Sequence, residues 1–172
     1  MQILPESPLV AAPIETRFGV FIARFSEIGL AQLSFPHESQ PIATCSIVSP
    51  QIRSWCNQTE EALQNALQNG SAQGFPPFDL RRGTEFQQRV WRALQTIKAG
   101  ETMTYSGLAA AIYQPTAVRA VGSACGANPI PVLIPCHRVL AANRKIGGFS
   151  GGLQWKELLL EIEGQDGFVR LI

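Results

Sequence analysis

Histidine is nearly missing from this chain: His37 and His137 are the only two. Four cysteines (Cys45, Cys56, Cys125, Cys136) complete the set of soft metal ligands, and no two of them form a C-x-x-C pair. Zinc-ligand spacing is therefore absent, and no metal is expected. Four cysteines do not suggest a disulfide framework either; in a reducing cytosol they are thiols. No apolar run approaches the roughly 18–20 residues of a membrane span. The start, Met1-Gln2-Ile3-Leu4-Pro5-Glu6, lacks the basic stretch and apolar run of a signal peptide, so a cytosolic protein is expected. Charged residues are few, at 16%, but hydrophobic residues make up 45%, which is globular composition and not disorder. At 172 residues the chain suits one domain or two small ones.

The net charge of +1 conceals an asymmetry. Before residue 81 stand three basic residues (Arg17, Arg24, Arg53) against seven acidic; from Arg81 onward there are eleven against six. A basic second half is consistent with a polyanionic partner, and an arbitrary surface distribution accounts for it equally well.

The first half reads as strands and turns. Residues 18–23 and 30–35 flank the turn-prone Ser26-Glu27-Ile28-Gly29, predicting a hairpin. Residues 42–48 are a third strand candidate, rich in β-branched residues. Residues 60–67 read as a helix stopping at Asn69-Gly70. The Gly-, Ser- and Pro-rich segment 70–77 marks a linker, which puts a domain boundary near residue 78.

The second half is mostly helical in pattern. Thr84-Glu85-Phe86-Gln87 has the form of a capping box, followed by Phe86, Val90, Leu94 and Ile97 at helical spacing. Residues 105–112 and 116–126, separated by Tyr113-Gln114-Pro115, match a helix-turn-helix. Ala117, Ala120, Val121 and Ala124 form the expected inward face of its second helix, and Arg119 points away. Gly122, Ser123 and Gly126 leave the outer face small enough to approach another surface closely. The prolines of Asn128-Pro129-Ile130-Pro131 stiffen a connector to a predicted buried strand, Val132-Leu133-Ile134. A last helix is expected from about Ser150 to Gly164, with Trp155, Leu159 and Ile162 on one face.

That strand delivers Pro135-Cys136-His137-Arg138-Val139. A cysteine beside a histidine suggests a thiol with a base at hand, since the thiolate is the nucleophile. Glu163 sits where the helix macrodipole disfavours a carboxylate, which invites pairing with a cationic His137. Taken singly, each has a plainer role: an inert buried thiol, a packed histidine, a solvated glutamate, a solvated Arg119.

Together the motifs point one way. Gly83-Thr84-Glu85-Phe86-Gln87, Thr104-Tyr105, Arg119-Ala120-Val121-Gly122, Asn128-Pro129, Ile134-Pro135-Cys136-His137-Arg138-Val139 and Ser150-Gly151-Gly152 occur in order over residues 83–164. In order and spacing they resemble the O6-alkylguanine-DNA alkyltransferases, the methylated-DNA–protein-cysteine methyltransferases. The hairpin at 17–35 also resembles that family's first domain.

The resemblance implies an α/β protein of two domains: a ribonuclease-H-like part, residues 1–78, and a mainly helical part, 79–172, holding the helix-turn-helix and the cysteine. It implies DNA repair by direct reversal on double-stranded DNA. An alkyl group would pass once from O6-alkylguanine, or O4-alkylthymine, to Cys136 after the base rotates out through the minor groove. His137 would take the thiol proton through a water, Glu163 would orient the imidazole, and Tyr105 would donate to guanine N3. Arg119 would fill the space of the rotated base, with Ala120, Gly122, Ser123, Ser150 and Gly151 at the DNA. Val139, Phe149 and Ser150 would border the pocket, and Asn128 would brace the hinge. The resemblance further implies a monomer without cofactor or metal, in the cytoplasm or, in a eukaryote, the nucleus.

Three positions depart from the family pattern: Phe149 where tyrosine is usual, Tyr113 where glycine is frequent, and Gly126 where some members carry arginine. Rival readings are a lesion-binding protein without alkyl transfer, which the presence of Cys136 opposes, and a helix-turn-helix transcriptional regulator, whose small outer face offers little base-edge bonding. A cysteine peptidase is disfavoured because such enzymes bring cysteine and histidine together across the fold and not as neighbours in sequence.

Overall fold

A computed structural model describes residues 9–36 and 49–169. The strand expected at 42–48, and with it Cys45 and His37, lies outside the described residues. Strands β1 (Val10–Thr16), β2 (Gly19–Phe25) and β3 (Leu30–Ser34) form an antiparallel sheet in the order β1-β2-β3. The predicted hairpin is β2–β3, with a register shift at Arg24/Phe25. The sequence reading missed β1 because Pro13 interrupts it; Pro13 is tolerated on an edge strand, where it pairs with Ile22. Ala12, Ile14, Phe21, Ala23, Phe25 and Leu33 alternate inward and are buried.

Helix α1 (Pro50–Asn69) covers this sheet and starts ten residues before the predicted segment 60–67. Proline at its first position is pre-set for helix, and Trp55, Cys56 and Thr59 extend the buried stripe of Ala62, Leu63, Ala66 and Leu67 backwards. The polar Ser54, Asn57 and Gln58 interleaved with it hid that stripe, and Ser and Asn are weak helix formers. Gly70 ends the helix in the left-handed conformation (φ 76°).

The expected linker is pinned to the sheet. Leu30 N–H donates to Pro77 O (2.8 Å) and Asp79 N–H to Leu30 O (2.8 Å), adding a short parallel bridge to β3. Ser26 Oγ donates to Asp79 Oδ2 (2.7 Å). The Arg81 guanidinium beside Asp79 holds that carboxyl at about 2.

Helix α2 (Glu85–Leu94) begins with the predicted capping box: Gln87 N–H donates to Thr84 Oγ1 (3.2 Å), and Thr84 N–H to Gln87 Oε1 (2.9 Å). Strand β4 (Met103–Thr104) leads into α3 (Tyr105–Ala111), and a turn leads to α4 (Val118–Gly126). Val121, Ala124 and Cys125 are the buried residues of α4, whereas Ala120 is exposed at the edge of the buried arc, correcting its predicted inward position. Trp91 Nε1 donates to Ala124 O (2.8 Å) and ties α2 to α4.

Val132–Ile134 is not a strand. Residues 131–134 form a buried turn closed by a Pro131–Ile134 bridge, with Val132 at φ 73°. The strand comes later, as β5 (Val139–Leu140), parallel to β4. Helix α5 (Leu153–Ile162) starts three residues later than expected, after Gly152 at φ 92°, so Ser150 and Gly151 stand in the turn before it. One continuous apolar cluster joins residues of β1, α1, α2, α4 and α5, from Ala12 to Leu159. No helix among the described residues is long and apolar enough to cross a membrane.

Candidate active site

Cys136 opens a single turn of 3-10 helix, Cys136–Arg138, between the 131–134 turn and β5. Its side chain is 3% exposed and lines a cavity of about 360 Å³. The other lining residues are Tyr105 from α3, Gly122, Cys125 and Gly126 from α4, and Gly148, Phe149 and Ser150 from the loop before α5. Small residues line the α4 side of this cavity, and a Cβ at Gly122 would meet the Tyr105 ring at 3.9 Å, an ordinary contact.

Asn128 fixes the sulfur. Its Oδ1 accepts from Ile130 N–H (3.1 Å), and its Nδ2 donates to Ile134 O (2.8 Å) and to Cys136 Sγ (3.0 Å). The two backbone bonds set which end of the amide faces the sulfur, so Cys136 meets a donor.

Behind the cysteine lies a buried ionic cluster. Glu163, the residue that caps α5, has a side chain only 3% exposed. Its Oε1 lies 2.9 Å from His137 Nε2 and 2.8 Å from Arg138 Nη2, and its Oε2 accepts from Arg138 Nε (3.0 Å) and Gly100 N–H (3.3 Å). Arg138 also donates to Ile97 O and Gly70 O. Burial alone pushes the Glu163 carboxyl up, but the bonds from His137 and Arg138 outweigh it and hold the group below its usual range. Burial pushes His137 down, against the pull of Glu163, so the resting imidazole is neutral. With Nε2 committed to Glu163, Nδ1 has no protein partner.

Lys156 was missed by sequence reading. It lies wholly buried on the inward face of α5, where its Nζ donates to Val139 O (2.7 Å) and stands 5.9 Å from the Tyr105 ring centroid. Burial lowers it to about 8, and the nearby Cys136 and Cys125 pull the other way. A lysine one residue after Trp155 and three before Leu159 was the available signal, since the expected apolar face should have carried it inward. Cys136 itself is pushed up by burial, with the Asn128 bond and the Lys156 charge opposing. The resting group is a thiol whose charged form is supported by a donor and a cation. Tyr105 is raised by burial to about 12 and stays a hydrogen-bond donor at neutral pH.

Residues 85–165 match the family model of the 6-O-methylguanine DNA methyltransferase DNA-binding domain. The methylated-DNA–protein-cysteine methyltransferase of Haemophilus influenzae is 50% identical over 96 residues, covering 55% of this chain and 54% of that protein. That of Mycolicibacterium paratuberculosis is 56% identical over 89 residues, 50% of this chain and 54% of that one. In structure the chain is similar to Mycobacterium tuberculosis OGT, solved in complex with DNA: TM-score 0.74, 35% identity, 90% of this chain and 92% of that one. The chain belongs to the O6-methylguanine-DNA methyltransferase family. In sequence, its match spans about half the length of the curated relatives.

Against this family, the predicted residues fall into two groups. Cys136, His137, Glu163, Tyr105, Asn128, Phe149 and Ser150 converge on or behind the cavity. Gly122 lines its mouth, and on the same helix Arg119, Ala120 and Ser123 face solvent, with Ser123 Oγ bonded to Arg119 O (3.2 Å). Gly151 lies outside the lining and packs on the Phe35 ring. Val139 is buried in β5, its carbonyl taken by Lys156.

Proposed function

We propose that the chain repairs DNA by moving an alkyl group from O6-alkylguanine in a duplex to Cys136, once per molecule. The observation that carries this reading is the placement of Cys136. Its sulfur lines a base-sized cavity, held by an amide donor and backed by a buried histidine–glutamate pair, beneath a helix whose outer face is small. M. tuberculosis OGT, similar over most of both chains, was solved in complex with DNA. The basic residues from Arg81 onward supply phosphate attraction and salt-sensitive binding.

In this mechanism His137 Nδ1 receives the Cys136 proton through a water, and Glu163 stabilises the imidazolium that forms. The thiolate attacks the alkyl carbon; a C–S bond forms and the C–O bond breaks. The bonding pair leaves with the guanine oxygen, and the Tyr105 hydroxyl donates to N3 as charge spreads into the purine. Lys156 favours the thiolate electrostatically. The thioether is stable and nothing regenerates the thiol, so Cys136 is a consumed reactant. Arg119, exposed on α4, occupies the stack left by the rotated base, and Ala120, Ser123 and Gly151 border the duplex.

The same reading divides the chain into a ribonuclease-H-like α/β part, residues 1–78, and a DNA-binding, alkyl-accepting part, 79–172. The antiparallel sheet under α1 and the site assembled from α3 to α5 support that division. The protein works as a monomer in the cytoplasm. The test is Arg119→Ala: it should slow repair of O6-methylguanine in duplex DNA at least tenfold more than transfer from the free base, and equal losses would refute the extrusion role.

A further inference from the structure

The end of α1 lies against the carboxylate that holds His137. Gly70 is buried, its carbonyl accepts from Arg138 Nη2 (3.3 Å), and Arg138 in turn grips Glu163. A Cβ on Gly70 would stand 2.6 Å from Glu163 Cγ, closer than real Cβ contacts allow. The residue combines two requirements that only glycine meets: a left-handed backbone (φ 76°) and no side chain towards Glu163. Arg17 adds a second tie at this end, donating from Nη2 to Leu67 O.

We propose that Gly70 is a positioning residue: the C-terminus of α1 sets where the Glu163 carboxylate sits, and through it the readiness of His137 to accept the Cys136 proton. The inference rests on the alkyl-transfer reading for its purpose, but not for its chemistry. Glu163 has no side-chain freedom of its own here, because His137, Arg138, Gly100 and Gly70 surround it. The first half of the chain thereby reaches a reaction whose reacting groups all belong to the second.

The charged and titratable groups facing Cys136 and His137 are Glu163 and Lys156 at α5, Arg138 beside them, Tyr105 on α3 and Cys125 on α4. Of these, Glu163 faces the Gly70 Cβ position and Arg138 bonds its carbonyl. Moving Glu163 off His137 removes the partner of the imidazolium, so the thiol proton is harder to transfer and Cys136 becomes reactive only at higher pH.

The experiment follows carbamidomethylation of Cys136 by iodoacetamide against pH, read as mass on the Cys136 peptide, in Gly70→Ala and Gly70→Asn. Asparagine tolerates the left-handed backbone better and keeps the variant folded while carrying the same Cβ. Gly74→Ala is the control for backbone strain, since Gly74 has φ 69° and open space around its Cβ position. Both Gly70 variants should shift the profile up by about one pH unit, about tenfold slower at neutral pH, and converge with the parent on the alkaline plateau. Gly74→Ala should overlay the parent, and the Gly70 shift should vanish in a Glu163→Gln background. A Gly70→Asn profile matching the parent, or an undiminished shift in Glu163→Gln, would overturn the proposal. Failure of the parent to accept methyl from DNA would sink the functional reading and leave this thiol measurement untouched.

Discussion

Asn128 Nδ2 and Cys136 Sγ are 3.0 Å apart, and the same nitrogen holds Ile134 O at 2.8 Å. One side chain thus shapes the 131–134 turn and presents a donor to the sulfur. Asn128→Ala should cost about 2–3 kcal/mol, because buried backbone groups lose their partners, and should slow alkyl transfer beyond what the lost stability explains. Asn128→Asp tests the donor more sharply. A carboxylate beside the sulfur should raise the thiol further and slow carbamidomethylation of Cys136 by iodoacetamide at neutral pH by tenfold or more. Thermal melts and thiol kinetics on the same samples separate the two effects.

Lys156 should matter more for reactivity than for folding. Its lowered value means the fold binds fewer protons there than the unfolded chain between about 8 and 10.5. This group alone therefore makes stability rise with pH across that window, and below it the cost of a buried cation is fully present. Lys156→Met should leave Tm within a few degrees, trading that cost against an unpaired Val139 carbonyl. It should also move the Cys136 reactivity profile upward by about one unit.

His137 and Glu163 set the acid limb. The folded His137 resists protonation, so the unfolded chain takes up more protons below its ordinary value of 6.5 and stability falls as pH drops through that region. Glu163, held below its ordinary value of 4.5, contributes stability above that value and loses it as pH falls further. Urea unfolding between about pH 7 and 5 should show the first loss, and His137→Gln should flatten it.

Tyr113 is 92% exposed with φ 59°, a left-handed residue in the turn between α3 and α4 with little packing to offset its strain. Tyr113→Gly should raise stability by about 1 kcal/mol, measured by denaturant titration. No gain would mean the ring stabilises the turn.

Much of the site was legible because its chemistry is local in sequence. Cys136 and His137 are neighbours, and the capping box needs only Thr84 and Gln87. The helix-turn-helix announces itself through Tyr113-Gln114-Pro115. What escaped depends on contacts across the fold. The apolar run Val132-Leu133-Ile134 reads as a strand, but Asn128 bonds both Ile130 N–H before it and Ile134 O at its end, and the chain turns between them with Val132 at a positive φ. Lys156 reads as surface until α5 is seen to bury it. Gly70 announces a helix stop, and nothing nearby in sequence reveals that the stop abuts Glu163, ninety-three residues on.

The central claim is that Cys136, and not the neighbouring thiol of Cys125 in the same cavity, is the alkyl acceptor. The direct measurement incubates the protein with a duplex carrying O6-methylguanine, followed by intact mass and peptide mapping of the parent and Cys136→Ala. The account predicts one added methyl per molecule, on the Cys136 peptide, and none on the variant. A methyl group on Cys125, a gain that survives in Cys136→Ala, or no gain in the parent would contradict it.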